Sequence, residues 1–206
     1  MKLVFVHGWG FDAKVWDAIV NLLPDRECLV LDLGFGNRVA DAVDCLPKSD
    51  YIAIGHSVGS LWLLRHATAP MKAFVSICGF DNFAKYAPTG ILQAMKERLD
   101  TAPYPMMCEF WGTTPYLGED EMNVDRLKTG LDWLTEWNEE KAHGALNCPI
   151  LALAATKDPI VPRKMTEAIW YDANLNWLDG KDHFLPITHP DWCVGQIKAF
   201  LDEHSL

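Results

Sequence analysis

The chain has 206 residues, half of them hydrophobic and 22% charged, and a formal net charge of −10. That length carries one sizeable core and is short for two domains. The acidic balance argues against non-specific nucleic-acid binding and against docking on an anionic membrane surface.

No stretch approaches the roughly 18 consecutive apolar residues of a membrane span. The run Met1-Lys2-Leu3-Val4-Phe5-Val6-His7 is too short for a secretory signal. The six cysteines (Cys28, Cys45, Cys78, Cys108, Cys148 and Cys193) are scattered, with no C-x-x-C pair. This spacing offers no metal site, and thiols kept reduced in the cytoplasm are the expectation.

Along the chain, short apolar runs alternate with helical patterns, which predicts a mostly parallel sheet covered by helices. The predicted strands are Leu3–Val6, Cys28–Leu31, Tyr51–Ile54, Ala73–Ile77, Ile150–Ala154 and Leu175–Leu178. Several are continuous apolar runs, as strands buried on both faces require. Between the first two, Val15/Ile19 and Trp16/Val20 stand four apart and predict a helix with Asp12 as its N-cap. The interval from Phe80 to Asn147 has no strand pattern. Leu127, Leu131 and Leu134 share a face there, and Trp133 and Trp137 lie one turn apart. Nearly seventy residues exceed what a crossover needs, so a helical insertion over the sheet is expected, within a single domain spanning 1–206. Pro190–His204 closes the chain as a helix with Pro190 at its first turn and Val194, Ile197 and Leu201 on one face.

The most specific signal is Gly55-His56-Ser57-Val58-Gly59, between the strand ending at Ile54 and a helical run beginning near Ser60. A Gly-x-Ser-x-Gly in that setting forms a strained turn that presents the serine hydroxyl. A hydroxyl becomes a useful nucleophile only with a base in hydrogen-bond reach and a third group that orients the base. The expected chain order is Ser, Asp or Glu, then His. His7 and His56 precede Ser57, His66 lies in the following helix, and His143 lies in the insertion. Of His183, His189 and His204, only His183 sits in the loop directly after the last strand, where such sheets carry their chemistry. Asp158 leads as the acid, since it follows the penultimate strand in Thr156-Lys157-Asp158-Pro159. Asp81, after the strand ending at Ile77, is the alternative. Asp182 adjoins His183, and neighbouring side chains on an extended loop point apart. An oxyanion needs two preorganised N–H donors. Val58, at a helix N-terminus, and Trp9, in the turn His7-Gly8-Trp9-Gly10, are the candidates.

These pieces together resemble the α/β-hydrolase family. The matching segments are His7–Gly10, Asp32-Leu33-Gly34-Phe35-Gly36, Gly55–Gly59, Asp158 with Val161-Pro162, and Asp182-His183. A finer resemblance is to the pimeloyl-[acyl-carrier protein] methyl ester esterases of biotin synthesis. It rests on His7–Gly10, Val15-Trp16, Val161-Pro162-Arg163-Lys164 after Asp158, and Gly130-Leu131-Asp132-Trp133-Leu134. This resemblance implies cleavage of a methyl ester by Ser57, Asp158 and His183, with Trp9 and Val58 as backbone donors and no metal or organic cofactor. The substrate would be a small-molecule ester or an acyl group on acyl-carrier protein.

Two departures stand out. The chain begins at the strand before His7, so the usual N-terminal hairpin is expected to be missing and one sheet edge shortened. The insertion's six Lys/Arg are outnumbered by acids, leaving Lys96 with Arg98, and Arg126 with Lys128, as a basic patch for an acidic carrier. Met106, Met107, Phe110 and Trp111 are the candidates to line an acyl pocket. The same triad chemistry also serves lactones and carbon–carbon bonds, and the fold can persist as a non-catalytic binding module.

Overall fold

The computed structural model describes residues 1–36, 42–67, 69–112, 114 and 122–206. Six strands form one sheet: β1 (Lys2–Val6), β2 (Cys28–Leu31), β3 (Tyr51–His56), β4 (Met71–Ile77), β5 (Ile150–Ala155) and β6 (Asn174–Leu178). All pairings are parallel, in the order β2-β1-β3-β4-β5-β6. The six predicted strands are the six observed, each within two residues of its expected bounds. Burial explains why they were legible. Leu3 to Val6, Tyr51 to Ile54 and Ala73 to Val75 are completely buried, because helices cover both faces. The edge strands β2 and β6 are mostly half-buried.

The chain builds outward from β1 to β2, then crosses back to β3 and continues to the opposite edge. The connections leaving β1 and β3 therefore diverge, and a crevice opens beyond their carboxyl ends. That crevice lies between the His7–Gly10 turn and Ser57.

The helices are α1 (Asp17–Asn21), α2 (Val58–His66), α3 (Thr89–Thr101), α4 (Pro103–Trp111), α5 (Val124–Glu136), α6 (Glu140–Gly144), α7 (Arg163–Ile169), α8 (Leu185–Thr188) and α9 (Pro190–Glu203). The helix predicted after β1 divides into a 3-10 turn, Ala13–Trp16, and α1. Asp12 caps it by accepting from the Lys14 N–H at 2.8 Å. This bond reaches only two residues ahead, and it tightens the first turn. In α9, Val194, Ile197 and Leu201 are buried as the spacing required. Between β4 and β5, α3 packs on α4 and α5. Residues 113 and 115–121 of the predicted 80–147 insertion lie outside the described residues. Among the described residues no helix is long and apolar enough to cross a membrane.

The backbone is tightly packed where α2 leaves the sheet. A Cβ on Gly59 would stand 2.2 Å from the Val6 carbonyl oxygen and 2.8 Å from that of His7. Both obstacles are backbone, so Gly59→Ala should lower the unfolding free energy by about 1–3 kcal/mol. This would be read as a lower denaturant midpoint at unchanged slope. An unmoved midpoint would mean that α2 shifts off β1 without cost.

Candidate active site

Ser57 stands at the turn between β3 and α2 with φ 53° and ψ −123°. A non-glycine residue held there stores about 1–3 kcal/mol of strain. The surroundings impose it: the Ser57 N–H donates to the Ile77 carbonyl at 2.9 Å, and its own carbonyl accepts from the Ser60 N–H at 3.0 Å. With the backbone bound at both ends, the hydroxyl is directed away from the sheet.

His183 reaches that hydroxyl from the loop after β6. Its Nε2 lies 3.0 Å from Ser57 Oγ, and its Nδ1 lies 2.8 Å from Asp158 Oδ2. Since the carboxylate only accepts, Nδ1 carries the proton and Nε2 accepts from the serine. All three residues are buried, at 8%, 6% and 3% exposure for Ser57, Asp158 and His183.

Asp158 performs two tasks with its two oxygens. Oδ1 accepts from the Ile160 and Val161 N–H groups at 2.8 and 2.9 Å and forms the turn that Asp-Pro predicts. Oδ2 remains for His183. Burial pushes this carboxyl up. The charge and hydrogen bond of His183, with the Val161 and Ile160 amides, outweigh burial and hold it below the ordinary aspartate value.

The competing acids are engaged elsewhere. Asp81 Oδ2 binds Nδ1 of His143 at 2.8 Å, a second buried His–Asp pair with Trp170 against the imidazole at 4.5 Å. Asp182 accepts from the Phe184 N–H, Thr188 Oγ1 and His189 Nδ1, and so faces away from His183.

Cys78, Asp158 and His183 offer atoms within 4.8 Å of one another, a grouping the cysteine spacing gave no hint of. Burial, and after it the Asp158 charge, raises the Cys78 thiol well above its ordinary range. A thiol kept protonated is a poor metal ligand, and the other two groups already bind each other.

The His7–Gly10 turn passes directly over the serine. A Cβ on Gly8 would lie 3.3 Å from Ser57 Cβ. Two indoles fasten this turn to the helical layer: Trp9 Nε1 donates to the Leu127 carbonyl at 2.7 Å, and Trp111 Nε1 to the Gly10 carbonyl at 2.9 Å. Among the described residues, neither the Trp9 nor the Val58 backbone N–H has a backbone acceptor.

Ser57 and His183 form part of the wall of a cavity of about 300 Å³. Its other walls come from Phe80, Tyr86 and Met95 on one side, Leu131 and Leu134 of α5 on another, and the Pro159–Pro162 loop. Of the four residues expected to line an acyl pocket, only Phe110 borders this cavity. Met106, Met107 and Trp111 are buried one layer back. The face of α4 that carries Met107 and Trp111 turns to the Gly10 strap, where the Met107 methyl fills the space a Gly10 Cβ would take. The sequence signal for the missed lining was present. The stretch from Phe80 to Met95 leaves the carboxyl end of β4, beside the loops that carry Asp158 and His183, and is rich in apolar residues.

The basic patch expected on the insertion is not free. Lys96 pairs with Asp132, Arg98 with Glu109 at 2.7 Å, and Lys128 with Asp100 at 2.6 Å. Arg126 donates to the Leu33 carbonyl at 2.7 Å and stacks on Trp133.

Residues 3–196 match the alpha/beta hydrolase family, and the chain belongs to it. Within that family it is similar to pimeloyl-[acyl-carrier protein] methyl ester esterases. It is 25% identical to that of Pectobacterium atrosepticum, over 96% of this chain and 93% of the relative. It is 27% identical to that of Legionella pneumophila (strain Corby), over 80% and 78%. Solved structures share the fold at lower identity. A hydrolase from Pseudomonas aeruginosa PA01 superposes with a TM-score of 0.79 at 16% identity, over 97% of this chain and 89% of that one. The enol-lactonase from Burkholderia xenovorans LB400 gives 0.75 at 12%, over 98% and 91%.

The depressed Asp158 value sets the sign of a pH effect. A carboxyl lowered on folding stabilises above its unfolded value, about 3.9, and that contribution is lost as pH falls through the folded value. The stability gap between the parent and Asp158→Asn at pH 7 should therefore shrink below about pH 4. A gap independent of pH would mean that the carboxylate charge is not what stabilises the loop.

Proposed function

We propose that this chain is a serine hydrolase of carboxylic esters working through an acyl-enzyme. The observation that carries the reading is the unbroken line Asp158 Oδ2–His183–Ser57 Oγ, with steps of 2.8 and 3.0 Å, on a strained elbow beside an apolar cavity.

In this reading His183 Nε2 takes the Ser57 proton as Oγ attacks the ester carbonyl. Asp158 holds the imidazole in the right tautomer and stabilises the imidazolium that forms. The backbone N–H groups of Trp9 and Val58 stabilise the oxyanion. The Val58 donor adds the positive end of the α2 dipole. His183 then gives its proton to the departing alkoxide, and water, activated by the same imidazole, releases the acid. The helices between β4 and β5 act as a roof that keeps bulk water from the acyl-enzyme.

The cavity favours an uncharged acyl chain. Apart from Ser57 and His183, the hydroxyl of Tyr86 and the indole of Trp9 are its polar side-chain groups, and the Trp9 N–H is already spent on Leu127. The names of the similar relatives support a methyl ester of a pimeloyl group on acyl-carrier protein as the substrate. The shared fold of the enol-lactonase keeps a lactone as the second reading.

Ser57→Ala should lower ester turnover by roughly 10⁴-fold or more while leaving the fold intact. Asp158→Asn should cost about 10⁴-fold in kcat, and Asp81→Asn should stay within a few-fold of the parent. Retained turnover in folded Ser57→Ala, together with no labelling by an active-site phosphonate, would reject catalysis in favour of a binding role.

A series of p-nitrophenyl esters from two to twelve carbons should show kcat/KM rising with chain length until the cavity is filled. Pimeloyl-carrier-protein methyl ester and a lactone belong in the same assay. Preference for the carrier-bound ester would establish the relatives' substrate, and preference for the lactone would establish the second reading.

A further inference from the structure

We infer that His56, the residue before the nucleophile, is a positioning residue that fixes the backbone of the base. This rests on the serine hydrolase reading and deepens it. His183 has three hydrogen-bonding groups near the reaction, and each is held. Its Nδ1 meets Asp158, its Nε2 meets Ser57, and its carbonyl oxygen meets His56 Nε2 at 2.9 Å. Adjacent residues on one turn therefore grip the base at both ends: Ser57 takes the ring and His56 takes the main chain.

The chemistry requires one protonation state. A carbonyl only accepts, so His56 Nε2 must carry the proton. The ring is 1% exposed. It packs 5.3 Å from the His183 ring and 6.0 Å from Phe11. Gly8 crosses its far side so closely that a Cβ there would stand 2.7 Å from Nδ1. Its titratable neighbours are His183, Asp158 and His7. Burial, and then the charge on His183, push its pKa down to about 3. His56 therefore stays neutral across the working range and stays a donor while His183 cycles through its charged form.

Without that donor the His183 carbonyl is a buried acceptor with no partner, in a loop that turns at Gly180 with φ 137°. A backbone shift there moves the imidazole relative to both Ser57 and Asp158. Misplacement on the order of 1 Å is enough to cost about 100-fold in rate. Bound substrate lies on the cavity side of Ser57, which His56 does not line, so affinity is left alone.

The test compares His56→Leu, which lacks a donor, with His56→Gln, whose amide can donate. His56→Leu should lose roughly 10- to 100-fold in kcat with KM within about twofold. His56→Gln should recover most of that loss. Labelling of Ser57 by a phosphonate should slow in step with kcat. A folded His56→Leu variant that keeps the parent kcat would overturn the assignment. So would equal losses in both variants, or losses carried by KM.

Nitrogen-15 shifts of His56 in the parent protein give a check that needs no variant. A neutral ring protonated at Nε2 from pH 5 to 9 is expected, and a cationic or Nδ1-protonated ring would overturn the proposal. Retained activity in Ser57→Ala would sink the hydrolase reading while leaving this tautomer unchanged, so the two failures are distinguishable.

Discussion

The backbone of Ser57 is the constraint on which the rest of the site depends. A residue at φ 53° cannot continue β3 or begin α2 in regular geometry. It is held there because its N–H and carbonyl are both bound and because the backbone around it is crowded. A Cβ on Gly55 would stand 2.5 Å from the Ser60 nitrogen, and one on Gly59 would reach the Val6 carbonyl. The two glycines flanking the serine exist because α2 lies so close to β1 and β3. The strain is local, and the buried parallel sheet supplies the rigidity that maintains it.

Sheet order then decides which loops can meet this serine. The reversal between β1 and β3 brings the His7–Gly10 turn over Ser57, and β5 and β6 deliver Asp158 and His183 from the other side. The His7–Gly10 strap and the His183 loop are secured differently. The strap is tied upward, into the helical layer, by the indoles of Trp9 and Trp111. The His183 loop is tied to the Ser57 turn by His56. The helical layer is thus part of the geometry that holds the His7–Gly10 turn over Ser57.

Among the described residues four His–Asp contacts occur: His7–Asp32, His143–Asp81, His183–Asp158 and His189–Asp182. Among the described residues only the third has a hydroxyl at the opposite ring nitrogen. Asp81–His143 and Asp158–His183 are alike in burial and in their 2.8 Å contact. What separates the two is where the free Nε2 points, and that depends on the path of whole elements.

The strands, the elbow and the chain order of Ser57, Asp158 and His183 were legible in the sequence, because each is written in local chemistry. Continuous apolar runs mark strands buried on both faces. Gly-x-Ser-x-Gly marks a turn that has no room for a Cβ two residues before or after the serine. An aspartate or histidine just after a strand has only one edge of the sheet to occupy. Trp111, Met107 and the lysines of the helical layer were not legible. Their roles depend on which face of α4 meets the Gly10 strap and on which acids the packed helices bring within reach. Helical periodicity specifies that a face is apolar, and only packing specifies what that face covers. Tertiary structure alone therefore made Trp111 a brace instead of a wall of the cavity, engaged Lys96, Arg98 and Lys128 in ion pairs and Arg126 with a backbone carbonyl, and brought His56 to the carbonyl of a residue 127 positions away.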